Sequence, residues 1–250
     1  MSYVIAIAGK GGVGKSTISS LLVRALHERS GEVILAVDAD PNFNLGQKLG
    51  VDVGTTIGDL REKMLKNADE IPTSMSKQEY VRYHIGLALW EGDSFDLLTM
   101  GRSEGPGCYC YINNILRTFM DELMEDYSLV VIDNEAGMEH LSRRTTRRMD
   151  ALVLVSDATK IGIETATRLK DLASNMDIEI GRKILIINRV PKEIPSALKE
   201  AIGSAGFNDV IYIPIDKQVE ELTIVGEPLI SLDGTSKALR SVRELALLLR

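Results

Sequence analysis

The sequence predicts an α/β protein built on a mainly parallel sheet with helices on both faces. Short apolar runs alternate with helical patterns along the chain, the signature of repeated strand–helix–strand units. Two of those runs, Leu129-Val130-Val131-Ile132 and Ile184-Leu185-Ile186-Ile187, are apolar without a break, as strands covered on both faces must be. The segment Gly9-Lys10-Gly11-Gly12-Val13-Gly14-Lys15-Ser16-Thr17 satisfies the phosphate-loop pattern G-x-x-x-x-G-K-[ST] in its required strand–loop–helix setting.

The elements follow in order. Tyr3 to Ala8 is the strand that enters the loop, and Ile18 to Arg29 is a helix with Leu21, Leu22, Ala25 and Leu26 on one side. Val33–Val37 is a second strand, ended by Asp38-Ala39-Asp40-Pro41-Asn42. Ile57 to Trp90 is the least regular stretch and is expected to be an insertion at the sheet edge. Further strands are predicted at Phe95–Thr99, Leu129–Ile132, Leu152–Ser156, Lys183–Ile187 and Val210–Ile213. Helices are predicted over 111–126, 162–175, 194–204 and 235–249. No repeat, linker or shift in composition marks a second domain, so residues 1–250 are expected to form one.

Composition narrows the function. At 44% hydrophobic and 26% charged residues, the chain has the make-up of an ordinary globular protein. A formal charge of −7 argues against a general nucleic-acid surface. No apolar run approaches the ~20 residues of a membrane span. The N-terminus enters strand and loop at once, leaving no room for a signal peptide, and two cysteines one residue apart are no disulfide framework. A cytoplasmic protein that binds neither nucleic acid nor membrane is expected.

The chemistry begins at the loop. Backbone N–H groups of Gly11, Gly12, Val13 and Gly14 are expected to turn inward around phosphate oxygens, with Thr17 completing the cradle. Lys15 would reach the β- and γ-phosphates, Ser16 would ligate Mg²⁺, and the helix N-terminus adds partial positive charge. A nucleoside triphosphate is the expected ligand. Ligands of open α/β sheets sit at the carboxyl ends of strands, so the loop carrying Asp38 and Asp40 should reach the phosphates. Asp133, closing an apolar strand, is placed to hold the water shell of Mg²⁺.

The additional lysine, Lys10, followed by Asp38-Ala39-Asp40-Pro41, resembles the deviant Walker A class of dimeric ATPases. That class includes MinD and ParA partitioning ATPases, the nitrogenase iron protein and metallochaperone ATPases. The resemblance implies that the triphosphate is ATP, that Lys10 crosses a homodimer interface to the partner's nucleotide and that Asp40 positions the attacking water. It places Asp38 near Mg²⁺ and Asp133 in switch II. It further implies base contacts from Asn188 and Arg189, and from a second loop containing Pro214 and Asp216.

Both cysteines lie in Gly105-Pro106-Gly107-Cys108-Tyr109-Cys110. Thiolates spaced i, i+2 on an extended segment can point to one side and chelate a soft metal. A tetrahedral site wants four ligands, and two such pairs facing across a two-fold axis would supply them. This segment and Asp133-Asn134-Glu135-Ala136-Gly137-Met138-Glu139-His140 resemble the CooC-type nickel-insertion ATPases. The resemblance implies Ni²⁺ or Zn²⁺ held by Cys108 and Cys110 at an ATP-dependent interface. It also implies a client nickel enzyme such as carbon monoxide dehydrogenase or acetyl-CoA synthase. His140 could add a ligand, and Arg143, Arg144, Arg147 and Arg148 are expected on a helix after switch II. Two alternatives stand: an iron-protein-like reductase with an intersubunit Fe–S cluster, although no cysteine follows Asp133 closely, and a MinD-like switch using the C-terminal helix.

Overall fold

A computed structural model describes residues 2–66, 75–101, 110–137, 148–176 and 178–249. Eight strands form one sheet in the order β3-β4-β2-β5-β1-β6-β7-β8. They span Tyr3–Gly9 (β1), Ile34–Ala39 (β2), Leu89–Trp90 (β3), Phe95–Thr99 (β4), Leu129–Asn134 (β5), Arg148–Asp157 (β6), Glu179–Val190 (β7) and Asp209–Pro214 (β8). Every pairing is parallel except β3 with β4 at the edge. The expected architecture is therefore present.

Nine α-helices are described: Lys15–Ser30 (α1), Asn44–Leu49 (α2), Ile57–Lys66 (α3), Lys77–Ala88 (α4), Cys110–Glu125 (α5), Lys160–Ser174 (α6), Ser196–Ser204 (α7), Lys217–Val225 (α8) and Lys237–Leu248 (α9). Side chains alternate across the central strand, as the pleat dictates. Ile5 and Ile7 pack with Leu21, Leu22 and Leu26 of α1 and Leu239 and Leu245 of α9. Ala6 and Ala8 face Ile163 of α6 and Leu198 of α7. Val4 joins Leu35, Val130 and Met124 on that second face, beside α4 and α5. The apolar face of α9 is thus used on α1. Arg29 of α1 fastens the arrangement, its guanidinium donating to the Leu249 carbonyl at 2.8 Å.

The structure corrects the sequence reading in three places. The stretch Ile57–Trp90 is at the sheet edge but is not irregular, since α3, α4 and β3 occupy most of it. A capping box starts α4: Ser76 accepts from the Glu79 amide while the Glu79 carboxylate accepts from the Ser76 amide. Arg148 opens strand β6 instead of lying on a helix, and it pairs with Asp150 at 2.7 Å. Two short helices, α2 and α8, were not anticipated. With six residues, α2 is too brief to show a period, and nine-residue α8 packs only the partly buried Val219 and Leu222 on the core.

Candidate functional site

The loop after β1 is shaped by contacts that only glycine permits. Gly9 adopts φ 153°, and a Cβ there would come within 2.3 Å of the Val155 carbonyl oxygen on β6. Gly14 has φ 98° and leads directly into α1, and its Cβ would meet Asn188 Nδ2 at 2.5 Å. Val13 between them is buried and fixes the loop to the core. The first turn of α1 then presents Lys15, Ser16 and Thr17 to a cavity of about 450 Å³.

Three acids converge on this cavity from strand ends. Asp38 and Asp133 are fully buried and lie opposite each other on β2 and β5. Asp38 accepts the amides of Asp40 at 3.1 Å and Leu45 at 2.9 Å, so it shapes the Asp40 turn and starts α2. Burial, with the neighbouring Asp133 charge, pushes the Asp38 carboxyl up to about 7. Asp133 accepts from Ser19 Oγ at 2.9 Å, while its second oxygen is buried without a partner. Burial pushes Asp133 up to about 6 against the hydroxyls of Ser16 and Ser19 and the Lys15 ammonium. A buried, unpartnered carboxylate oxygen beside Ser16 fits a hydrated divalent cation. Asp40 lines the cavity itself, with one oxygen accepting from the Asn42 amide at 2.9 Å.

Lys15 is 7% exposed, and its amine donates to the Lys10 carbonyl at 3.4 Å. Burial lowers its pKa, opposed by the charges of Asp133, Asp40 and Glu135. An ammonium removed from water among carboxylates is poised for a phosphate. Lys10 is exposed and does not line the cavity of its own chain.

Asn188 and Arg189, at the end of β7, meet the loop from the side. Asn188 Nδ2 donates to the Val13 carbonyl at 2.8 Å, and Asn188 Oδ1 accepts from the Arg189 amide. Arg189 takes φ 56°, a conformation uncommon outside glycine, and its guanidinium reaches the Gly12 carbonyl at 3.4 Å. Pro214 and Asp216 lie elsewhere, in a second cavity of about 730 Å³ that begins at Val190, the residue after Arg189. The Asp216 carboxylate is occupied there: it accepts from the Gln218 amide, the Ser236 hydroxyl and the Ala238 amide at 2.7–3.0 Å.

Cys108, His140, Arg143, Arg144 and Arg147 lie outside the described residues. Cys110 is the first residue of α5. Among the described residues, no group of three or more His, Cys, Asp or Glu is placed to hold a metal ion, and no helix is long and apolar enough to cross a membrane. Sequence reasoning missed Asn44, Lys48, Glu135 and Thr223, all lining the phosphate-loop cavity. Glu135, two residues past Asp133, was findable from its position at the strand end. Lys48 and Thr223 ride on α2 and α8, the two short helices that the sequence reading did not anticipate.

The description "CobQ/CobB/MinD/ParA nucleotide binding domain" belongs to a family model that matches residues 4–229. An uncharacterized ATP-binding protein of Methanocaldococcus jannaschii is 42% identical over 97% of this chain and 96% of its own. The carbon monoxide dehydrogenase accessory protein CooC of Rhodospirillum rubrum is 32% identical over 70% of each chain. Among solved structures, the Aquifex aeolicus cell division protein MinD superposes with a TM-score of 0.72 at 23% identity, covering 99% of this chain and 96% of that one. MinD of Pyrococcus horikoshii complexed with Mg-ADP gives 0.68 at 21% identity, covering 98% and 95%. At those identities the structural likeness speaks for the fold.

Proposed function

The chain belongs to the CobQ/CobB/MinD/ParA nucleotide-binding family and is an ATPase of the MinD/ParA class, and on that premise we propose that it is a metallochaperone. In this reading it binds nickel or zinc as cargo through Cys108 and Cys110 and serves a nickel enzyme such as carbon monoxide dehydrogenase or acetyl-CoA synthase. One observation carries the reading. Both cysteines of the chain form a single Cys-x-Cys that runs into the start of α5, in a protein resembling a carbon monoxide dehydrogenase accessory protein over 70% of its length. The partitioning alternative gains nothing from the C-terminal helix, whose apolar residues Leu239, Val242 and Leu245 are buried in the core.

The residues divide the work as follows. Amides of Gly11 to Gly14 and the first turn of α1 receive the phosphate oxygens, with the Lys15 ammonium on the β- and γ-phosphates. Mg²⁺, when bound, offsets phosphate charge, and Ser16 and Asp133 are the residues that would hold it, with Asp38 behind them. Asp40 orients a water toward the γ-phosphorus. The new P–O bond forms as the bond to ADP breaks, so ADP carries away the electron pair, the attacking water gives up a proton to solvent, and inorganic phosphate leaves. Exposed Lys10 reaches the nucleotide of a second protomer in an ATP-bound homodimer, stabilising charge as it develops. Asn188, Arg189, Pro214 and Asp216 border the base side. Loss of the γ-phosphate removes the cross-link between protomers and alters the geometry of four facing thiolates.

Elemental and sulfide analysis of protein purified without oxygen, with ATP-dependent size exclusion on the same sample, tests this. About one nickel or zinc per two chains, without sulfide and lost in Cys108→Ser, is the expected result. Iron with matching sulfide would point to an iron-protein-like reductase. ATP-driven dimers that take up no offered metal would point to a MinD-like switch.

A further inference from the structure

A lysine on a short helix is ordinarily a solvated surface charge. Lys48 is not placed that way. Leu45 and Leu49 bury α2 against α1, and Val53 and Leu97 close on Gly46, so the helix is packed on both sides. Lys48, next to that buried stripe, lines the phosphate-loop cavity together with Thr17, Arg189 and Thr223. It is half-buried and makes no hydrogen bond or ion pair among the described residues.

Its surroundings are costly for a cation. Burial lowers the Lys48 pKa and the Arg189 guanidinium lowers it further, with Asp133 the charge that opposes them. Arg189 is itself held in a left-handed conformation with its guanidinium over the loop. Strain and like charge gathered at one cavity wall persist where a ligand rewards them. Lys15, Lys48 and Arg189 are the cations lining the cavity and Asp40 and Glu135 its acids, so the excess of positive charge lies on the side of α2 and β7.

We infer that Lys48 is a nucleotide-binding residue that contacts the phosphate chain from α2, beside Arg189 in the cavity lining. The inference rests on the nucleotide site alone and is independent of any metal on Cys108 and Cys110. It assigns α2 a role beyond packing: the same helix that Asp38 anchors through the Leu45 amide carries a cation to the phosphates.

The experiment uses the full chain, a fluorescent ATP analogue, and two competitors: ATP and inorganic triphosphate, which has the phosphate chain without base or sugar. Lys48→Met keeps the aliphatic stem and removes the charge, and Lys48→Gln is a second neutral variant. Both are expected to weaken ATP and triphosphate by a similar factor, about tenfold or more, as loss of a charge-assisted contact does. Lys48→Arg is expected to recover most of the affinity, which a purely structural role would not produce. Unchanged ATP affinity in both neutral variants overturns the inference. So does weakening of ATP with triphosphate unaffected, because Lys48 would then act on the nucleoside.

Discussion

Asp38 and Asp133 stand in matched register on adjacent parallel strands, both closed to solvent, beneath the phosphate loop. Two carboxylates buried side by side are unfavourable when both are ionised, because each loses water and repels the other. That cost identifies the place where a divalent cation would be welcome, and it makes the site pH-sensitive.

The sign follows from the direction of the shifts. Both groups bind their protons more tightly folded than unfolded, rising from 3.8 to about 7 and about 6. Stability of the nucleotide-free protein is therefore lost as pH rises from about 4 to about 7, and the loss is complete above that. At about 1.4 kcal/mol per tenfold change in acidity, the effect is on the order of a few kcal/mol for each group. Glu28, Asp216 and Asp233 are held low, so their opposite contribution is already complete above about pH 5. Thermal unfolding with and without Mg²⁺ and ADP should show a gain in Tm that grows between pH 5.5 and 7.5. Asp38→Asn should flatten that growth, and a gain independent of pH would remove the pair from the cation site.

Two glycines separate crowding from backbone strain. Gly9→Ala places a methyl 2.3 Å from a strand carbonyl at φ 153°, and neither neighbour can yield without breaking the β1–β6 pairing. Gly31 ends α1 at φ 71° with nothing within 4 Å of the added methyl. Urea unfolding should show Gly31→Ala losing about 1 kcal/mol, the cost of left-handed backbone alone. Gly9→Ala should lose about 3 kcal/mol or more, or fail to fold. Equal losses would mean that contact with Val155 is relieved by local movement.

What the sequence disclosed was what periodicity and spacing encode. The loop from Gly9 to Thr17 and the acids at positions 38, 40 and 133 were legible because strand ends and a nine-residue pattern locate them without tertiary information. The partners of those residues were not legible. That Asn188 would support the Val13 carbonyl depends on β7 approaching across 175 residues of sequence. That Lys48 would line the phosphate-loop cavity depends on a six-residue helix whose Leu45 amide is held by a buried aspartate. Nothing local encodes either, since both are consequences of sheet order.

The assignment of Lys10 and Asp40 makes a kinetic prediction. Asp40 lines the cavity while Lys10 does not, so each variant should spare most of the phosphate contacts in its own chain. Lys10→Ala and Asp40→Ala are expected to lower kcat for ATP about a hundredfold or more, with nucleotide affinity changed less than tenfold. Mixing the two variants tests whether lysine acts across the interface. A heterodimer pairs an intact Lys10 with an intact Asp40 at one of its two sites, and partial recovery of turnover is expected. Full activity in either single variant would remove that residue from the chemistry.

Asp216 offers the sharpest separation of structure from binding. Its carboxylate accepts from the Gln218 amide at the start of α8, and from the Ser236 hydroxyl and Ala238 amide at the start of α9. Although burial works against ionisation, those donors hold its carboxyl below the usual range. The ionised form therefore stabilises the fold above about pH 4, and the contribution is lost as pH falls through the lowered value. Asp216→Ala uncaps α8 and removes the acceptor of the Ser236 hydroxyl and the Ala238 amide, while Ser236 still caps α9 through the Leu239 amide, so a loss of about 2 kcal/mol in urea unfolding at pH 7 is expected. If capping is its whole role, ATP affinity of the folded variant should change less than about threefold, the second cavity keeping its walls at Val190 and Pro214. A tenfold loss of affinity with stability retained would instead make Asp216 a direct contact to the base, and its hydrogen bonds to the two helices incidental.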